Sequence, residues 1–182
     1  MLDLNSISLT AQEAETVIGI DSKLAKSISN WANRGLITAQ SEGGKGKPRR
    51  YSFCHLMEIN IALELMAIEG FGPEAALKAG RRVAHEGSGG AGWDDCPLEG
   101  LQRNPGMPYH HSHGATLLLV GASHSQVVAV SSDTPFSHIQ DLAGCPSWVT
   151  INVTEIFNHL SFRLGLDPIA VLDEAYPEDV AL

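Results

Sequence analysis

Apolar residues recur at helical spacing in some windows of this chain and at strand spacing in others. Residues 10–18, TAQEAETVI, place Thr10 and Glu13 at the spacing of a capping box, after which Ala14, Val17 and Ile18 share one face and Gly19 is the expected stop. Asp21 stands where it would cap a second helix over 22–34. In that window Leu24, Ile28 and Trp31 form an inward stripe, while Ser22, Lys26, Ser29, Asn30 and Asn33 project from the other side and Gly35 closes the helix. Two short helices separated by about three residues make a helix-turn-helix outline.

Residues 36–40 and 50–53 are expected as short strands around the tip SEGGKGKP, a hairpin or wing. Ser52 then caps a long helix over 53–69. Its two adjacent apolar stripes run through Leu56, Ile59, Leu63 and Met66 and through Met57, Ile61, Leu65 and Ile68, a wider face than one packing partner requires. Pro73 suits the first turn of a further helix over 73–86. Residues 87–115 are rich in Gly and Pro without periodicity, the composition of a linker.

Beyond it the pattern predicts strands at 115–120, 126–131 and 148–152. Helices follow at 153–164, where Val153, Ile156, Phe157, Leu160 and Leu164 fall on one face, and from Asp167 and Pro168 to Ala175. The fold class is therefore α+β. The expected organisation is a winged helix-turn-helix domain over 1–86, a linker over 87–115, and a small α+β module over 116–182 that dimerises or senses a signal.

Charge sharpens this picture. The net charge of −9 argues against a polybasic coat protein. Residues 1–86 carry ten Lys and Arg against ten Asp and Glu, whereas residues 87–182 carry two against eleven. Residues 22–50 alone hold seven basic side chains and one acidic, a local island of the kind that tracks a phosphate backbone. No apolar run approaches the roughly 20 residues of a membrane span. The N-terminus lacks the basic flank and apolar core of a signal peptide. Cys54, Cys96 and Cys145 are odd in number and widely spaced, as expected of reduced thiols. A cytoplasmic protein with no membrane partner is expected.

The segments LTAQEAETVIGIDSKLAKSISNWANRGLI, GKPRRYSF and the apolar helix ending EGF together resemble the MerR family of winged helix-turn-helix regulators over roughly residues 9–85. The resemblance implies that the second helix enters the major groove of double-stranded DNA and that the Arg-rich wing before a Tyr grips the backbone. On that footing Ser22, Lys26, Ser29 and Asn30 are candidate readers. Lys23, Arg34, Lys45, Lys47, Arg49 and Arg50 are candidate phosphate contacts, with Tyr51 turning its hydroxyl to a phosphate. Asn pairs bidentately with adenine and Lys donates to guanine or phosphate, so the residue types suit the task. MerR regulators continue into one long dimerising helix, which residues 87–115 cannot form. The dimer surface of the expected homodimer is therefore sought on the apolar helix 53–69 or in the C-terminal module.

PYHHSHG, residues 108–114, is the remaining cluster. His111 and His113 would share one side of a strand and, with His110 and Cys96, offer ligand types suited to Zn²⁺. The simpler reading is a polar edge before a strand, and no metal or cofactor is expected. No nucleophile–base pairing, HExxH or P-loop spacing is present, so no enzyme is expected. The expected function is sequence-specific transcriptional regulation, with a small-molecule effector as a further partner. The alternatives are a phage-type architectural protein resembling an excisionase or terminase small subunit, and a metal or small-ligand sensor acting through the C-terminal module.

Overall fold

A computed structural model describes residues 4–19, 24–40, 47–68, 70–87, 101–122 and 124–179. The fold is mixed α+β, with seven helices and one three-stranded antiparallel sheet among the described residues. Helices α1 (Ala11–Ile18) and α2 (Leu24–Asn33) lie where periodicity puts them. Thr10 and Glu13 close the expected capping box, and Gly19 takes a left-handed φ of 78° at the end of α1. The cap expected of Asp21 lies outside the described residues. Glu15 on α1 instead accepts a hydrogen bond from the Ala25 N–H at 3.3 Å, putting a negative group at the positive end of α2.

The long helix α3 (Phe53–Ala67) is buried on every side from His55 to Ala62, and its last turn, with Glu64 and Ala67, reaches solvent. Leu56, Met57, Ile59, Ile61, Ala62 and Leu65 are wholly buried. The two stripes are wide because α3 is the central helix, packed against α1, α4 (Pro73–Ala84), α6 (Val153–Arg163) and β3 (Val149–Asn152). Most of its apolar face is therefore unavailable as a dimer surface. Helix α4 approaches closely at Gly80, where an added Cβ would stand 2.7 Å from the Glu58 carbonyl oxygen.

The sheet order is β2-β1-β3, with β1 (Ala115–Val120) central and β2 (Ser125–Val130) on its far side from β3. Alternation assigns the faces. Leu118, Val120, Val127, Ala129 and Ile151 enter the main core, while Leu119 and Val128 cover a smaller cluster with Ala143. Ala143 ends α5 (Phe136–Ala143), to which the hydrophobic pattern assigns no element. Ile139, Leu142 and Ala143 are the short apolar face that marks it. Helix α6 follows β3 directly, and α7 (Pro168–Ala175) is capped by Asp167, whose Oδ1 accepts from the Ile169 N–H at 3.0 Å.

One hydrophobic core runs from Leu4 to Tyr176 across the boundary expected at 87–115. Phe53 of α3 meets Phe157 of α6 edge to face, with ring centroids 5.6 Å apart. The Arg163 guanidinium donates to the Thr16 carbonyl at 2.6 Å and to the Val17 carbonyl at 3.3 Å, satisfying free carbonyls at the C-terminal end of α1.

Beyond Gly87, the part of the expected linker that is described, residues 101–115, is built into this core. Arg103 is 3% exposed, and its guanidinium donates to the carbonyls of Val83, Arg82 and Met107 at 2.9, 2.9 and 3.1 Å and also to that of Glu86. The end of α4 is thus closed by a side chain from the next segment. Gly and Pro content marks irregular backbone, and here that backbone is packed rather than free. No helix among the described residues is long and apolar enough to cross a membrane.

Candidate nucleic-acid interface

Helix α2 buries Leu24, Ile28 and Trp31 and turns the opposite face outward. Lys26, Asn30, Asn33 and Arg34 are exposed on it. At 100° per residue these positions occupy about 100° of arc, and Lys26 to Asn33 covers about 10 Å along the axis. Ser29 sits at the edge of this face, and its hydroxyl donates to the Ala25 carbonyl at 2.9 Å. Its donor is therefore committed to the helix. Ser22 and Lys23 lie outside the described residues.

Among the described residues the expected wing is a bridged arm. Gln40 N–H donates to the Arg50 carbonyl at 2.8 Å, and residues 36–40 form no strand. The other edge of the arm pairs with the start of the chain instead. Leu9 and Tyr51 exchange both backbone hydrogen bonds, at 2.9 and 2.8 Å. Residues 41–46, including Lys45, lie outside the described residues, and Lys47 is exposed.

Two of the basic side chains are tied into the protein. Arg49 Nη1 donates to Asn33 Oδ1 at 2.6 Å, which sets its guanidinium at the C-terminal end of the α2 outer face. Arg50 Nη1 lies 3.3 Å from both Glu13 Oε2 and the Ser8 carbonyl, so it braces the base of the arm against the α1 capping box. The Thr10 N–H that Glu13 accepts, with a smaller contribution from Arg50, holds the Glu13 carboxyl below the usual carboxylate range.

Tyr51 is 1% exposed, with its ring edge-on to His55 at 6.0 Å. It cannot turn its hydroxyl to a phosphate. An aromatic at the foot of a basic arm is a core anchor here because the Leu9–Tyr51 pairing points its side chain inward.

Behind the arm lies a polar network that the sequence pattern does not single out. Glu58 on α3 is 1% exposed, with Oε1 3.1 Å from Arg81 Nε and Oε2 2.9 Å from His85 Nε2. Arg81 also donates to the Leu36 carbonyl, fixing the segment that enters the arm. His55 takes the Glu/Gln place in a capping box, its Nδ1 accepting from the Ser52 N–H at 3.1 Å. Burial, aided by the neighbouring His85, pushes the His55 imidazole below its ordinary value.

The histidine run divides in two. His110 Nε2 and His111 Nε2 stand 3.0 and 2.8 Å from one oxygen, Oδ1 of Asp173 on α7. His113 instead points to Asp179, 3.1 Å away at an angle that makes no hydrogen bond. The expected strand-side pair His111 and His113 is not formed, because residues 111–113 make a 3₁₀ turn. Cys96 lies outside the described residues. Asp173 is 63 residues from His110, so no local spacing could have nominated it.

An open cleft of about 950 Å³ separates α4 from the sheet edge, with Lys78, Arg82, His124 and Trp148 on its walls. No family model and no curated protein matches this chain.

Proposed function

We propose that the protein is a sequence-specific DNA-binding transcriptional regulator whose α1, α2 and basic arm act as a winged helix-turn-helix, similar to MerR regulators over residues 9–85. The hydrogen bond from Arg49 to Asn33 carries this reading. It brings a phosphate-seeking guanidinium to the end of a face that already presents Lys26, Asn30 and Arg34 to solvent. A duplex needs a protruding polar helix for base edges and flanking cations for the backbone.

In this reading Lys26 and Asn30 meet base edges, while Arg34, Lys47 and Arg49 meet phosphates. Arg50 and Tyr51 set the shape of the arm. The acidic second half repels phosphate and confines contact to this one surface. Helix α6 would report events in the C-terminal half to α1 through Arg163, and the cleft beside α4 suits a small-molecule effector. A homodimer would pair two α2 helices with half-sites about one turn of DNA apart, its contacts coming from the C-terminal half.

Mobility shift with genomic fragments at about 50 mM salt, where phosphate contacts are strongest, tests the reading. Selective retention of a few fragments is expected. Absence of any shift at that salt refutes it, and strong bending without sequence preference would point to an architectural DNA protein instead.

A further inference from the structure

We propose that His110, His111 and Asp173 form a binding site for a first-row divalent cation, Zn²⁺ in the first instance, that staples α7 to the turn leading into β1. This inference is independent of DNA binding.

The three donor atoms lie within 4.8 Å of one another. Donors around a tetrahedral ion with bonds of about 2.0–2.2 Å stand about 3.3 Å apart. The two histidine-to-carboxylate separations, 3.0 and 2.8 Å, fall within about half an ångström of that spacing. Small side-chain shifts would admit an ion. Two imidazoles and a carboxylate are the ligand types that favour Zn²⁺ and its neighbours over Mg²⁺ or Ca²⁺.

The site also has a built outer layer. His110 is 2% exposed and its ring is edge-on to Tyr176 at 6.3 Å. Ser112 meets His110 Nδ1 twice on the side away from Asp173, its backbone N–H donating at 3.3 Å and its Oγ lying 2.8 Å away. When Nε2 binds metal, the bond from the Ser112 N–H is given up and the Ser112 hydroxyl rotates to accept the Nδ1 proton, the arrangement that fixes the ring of a ligating histidine. Tyr176, one turn beyond Asp173, anchors the same helix by donating to the Pro108 carbonyl at 2.8 Å and accepting the Asn104 N–H at 2.9 Å. The side chains of His111 and Asp173 are 44% and 40% exposed, which leaves the outer side open to a water as fourth ligand.

Without an ion, both histidines donate Nε2–H to Asp173. Binding displaces those two hydrogen bonds: each Nε2 lone pair goes to the metal, the His110 proton relocates to Nδ1 facing Ser112, and the His111 proton likewise moves to Nδ1. The carboxylate keeps its charge throughout.

Full-length protein stripped of metal by a chelator and titrated with Zn²⁺ alone should bind one ion per chain with micromolar or tighter affinity and gain thermal stability. Co²⁺ in its place should give the intense visible bands of a tetrahedral site. His111→Ala and Asp173→Asn should each weaken binding at least tenfold while circular dichroism confirms an intact fold, and His113→Ala should leave it unchanged. Failure of the stripped protein to bind Zn²⁺ at about 100 μM (about 5.5 kcal/mol at that threshold), or equal loss on His113→Ala, overturns the assignment.

Discussion

Arg49 and Asn33 are 16 residues apart in the chain and 2.6 Å apart at their polar tips. That hydrogen bond joins the basic arm to the last turn of α2, so the two parts of the proposed DNA surface hold a common position. Arg50, its neighbour, faces the other way and closes on Glu13. Adjacent residues on an extended segment alternate sides, and this alternation gives the two arginines different tasks.

Arg49→Ala should weaken binding to every DNA sequence and lower the log–log salt slope by about 0.9, the loss of one phosphate contact. Filter binding across a salt series measures this. Asn30→Ala should leave that slope alone and relax preference at one base position, at a cost of about 1–3 kcal/mol for the correct site. Identical behaviour of the two variants would contradict the division between backbone grip and base reading.

Arg103→Lys should destabilise the fold on the order of 3 kcal/mol, although charge is kept. A single ammonium cannot reach the set of carbonyls that the guanidinium fork serves, and buried carbonyls at the end of α4 lose their donors. Urea unfolding checks the size of the loss. A lysine variant as stable as the parent would show that α4 needs no such closure.

Gly80→Ala should cost about 1–3 kcal/mol through overpacking. The new methyl would meet the Glu58 carbonyl, which is backbone and held by α3. The same change at an exposed helical position would normally stabilise. Thermal melting of the variant should therefore shift downward.

Two buried groups set opposite limits to the pH range of stability. The His55 imidazole titrates lower folded than unfolded, so the unfolded chain takes up its proton first as pH falls below about 6.5. The stability from neutral His55 is present above that pH and lost through the acid side. Tyr176 behaves in the reverse sense: burial pushes its phenol up to about 12, and the stability of the neutral form is present below about 10 and lost as pH rises between the two values. Tyr176→Phe should flatten the alkaline limb and cost about 1–3 kcal/mol at neutral pH by orphaning the Asn104 N–H and the Pro108 carbonyl. Denaturation midpoints across pH 5–11 measure both limbs.

The chain alone determined elements whose signals are local. Thr10 with Glu13 started α1, and Val153, Ile156, Phe157 and Leu160 marked α6, because capping and helical periodicity depend on neighbours a few residues away. Short apolar, β-branched runs on either side of a turn placed β1 and β2 for the same reason. The outward face of α2 was legible too, since burial of Leu24, Ile28 and Trp31 leaves Lys26 and Asn30 no other side. Tertiary structure decided the rest. It buried Tyr51, covered most of α3, turned the described end of the expected linker into the Arg103 closure, and set Asp173 beside His110. Those outcomes depend on which distant surfaces meet, and the energy of a contact formed across tens of residues leaves no spacing in the sequence to read.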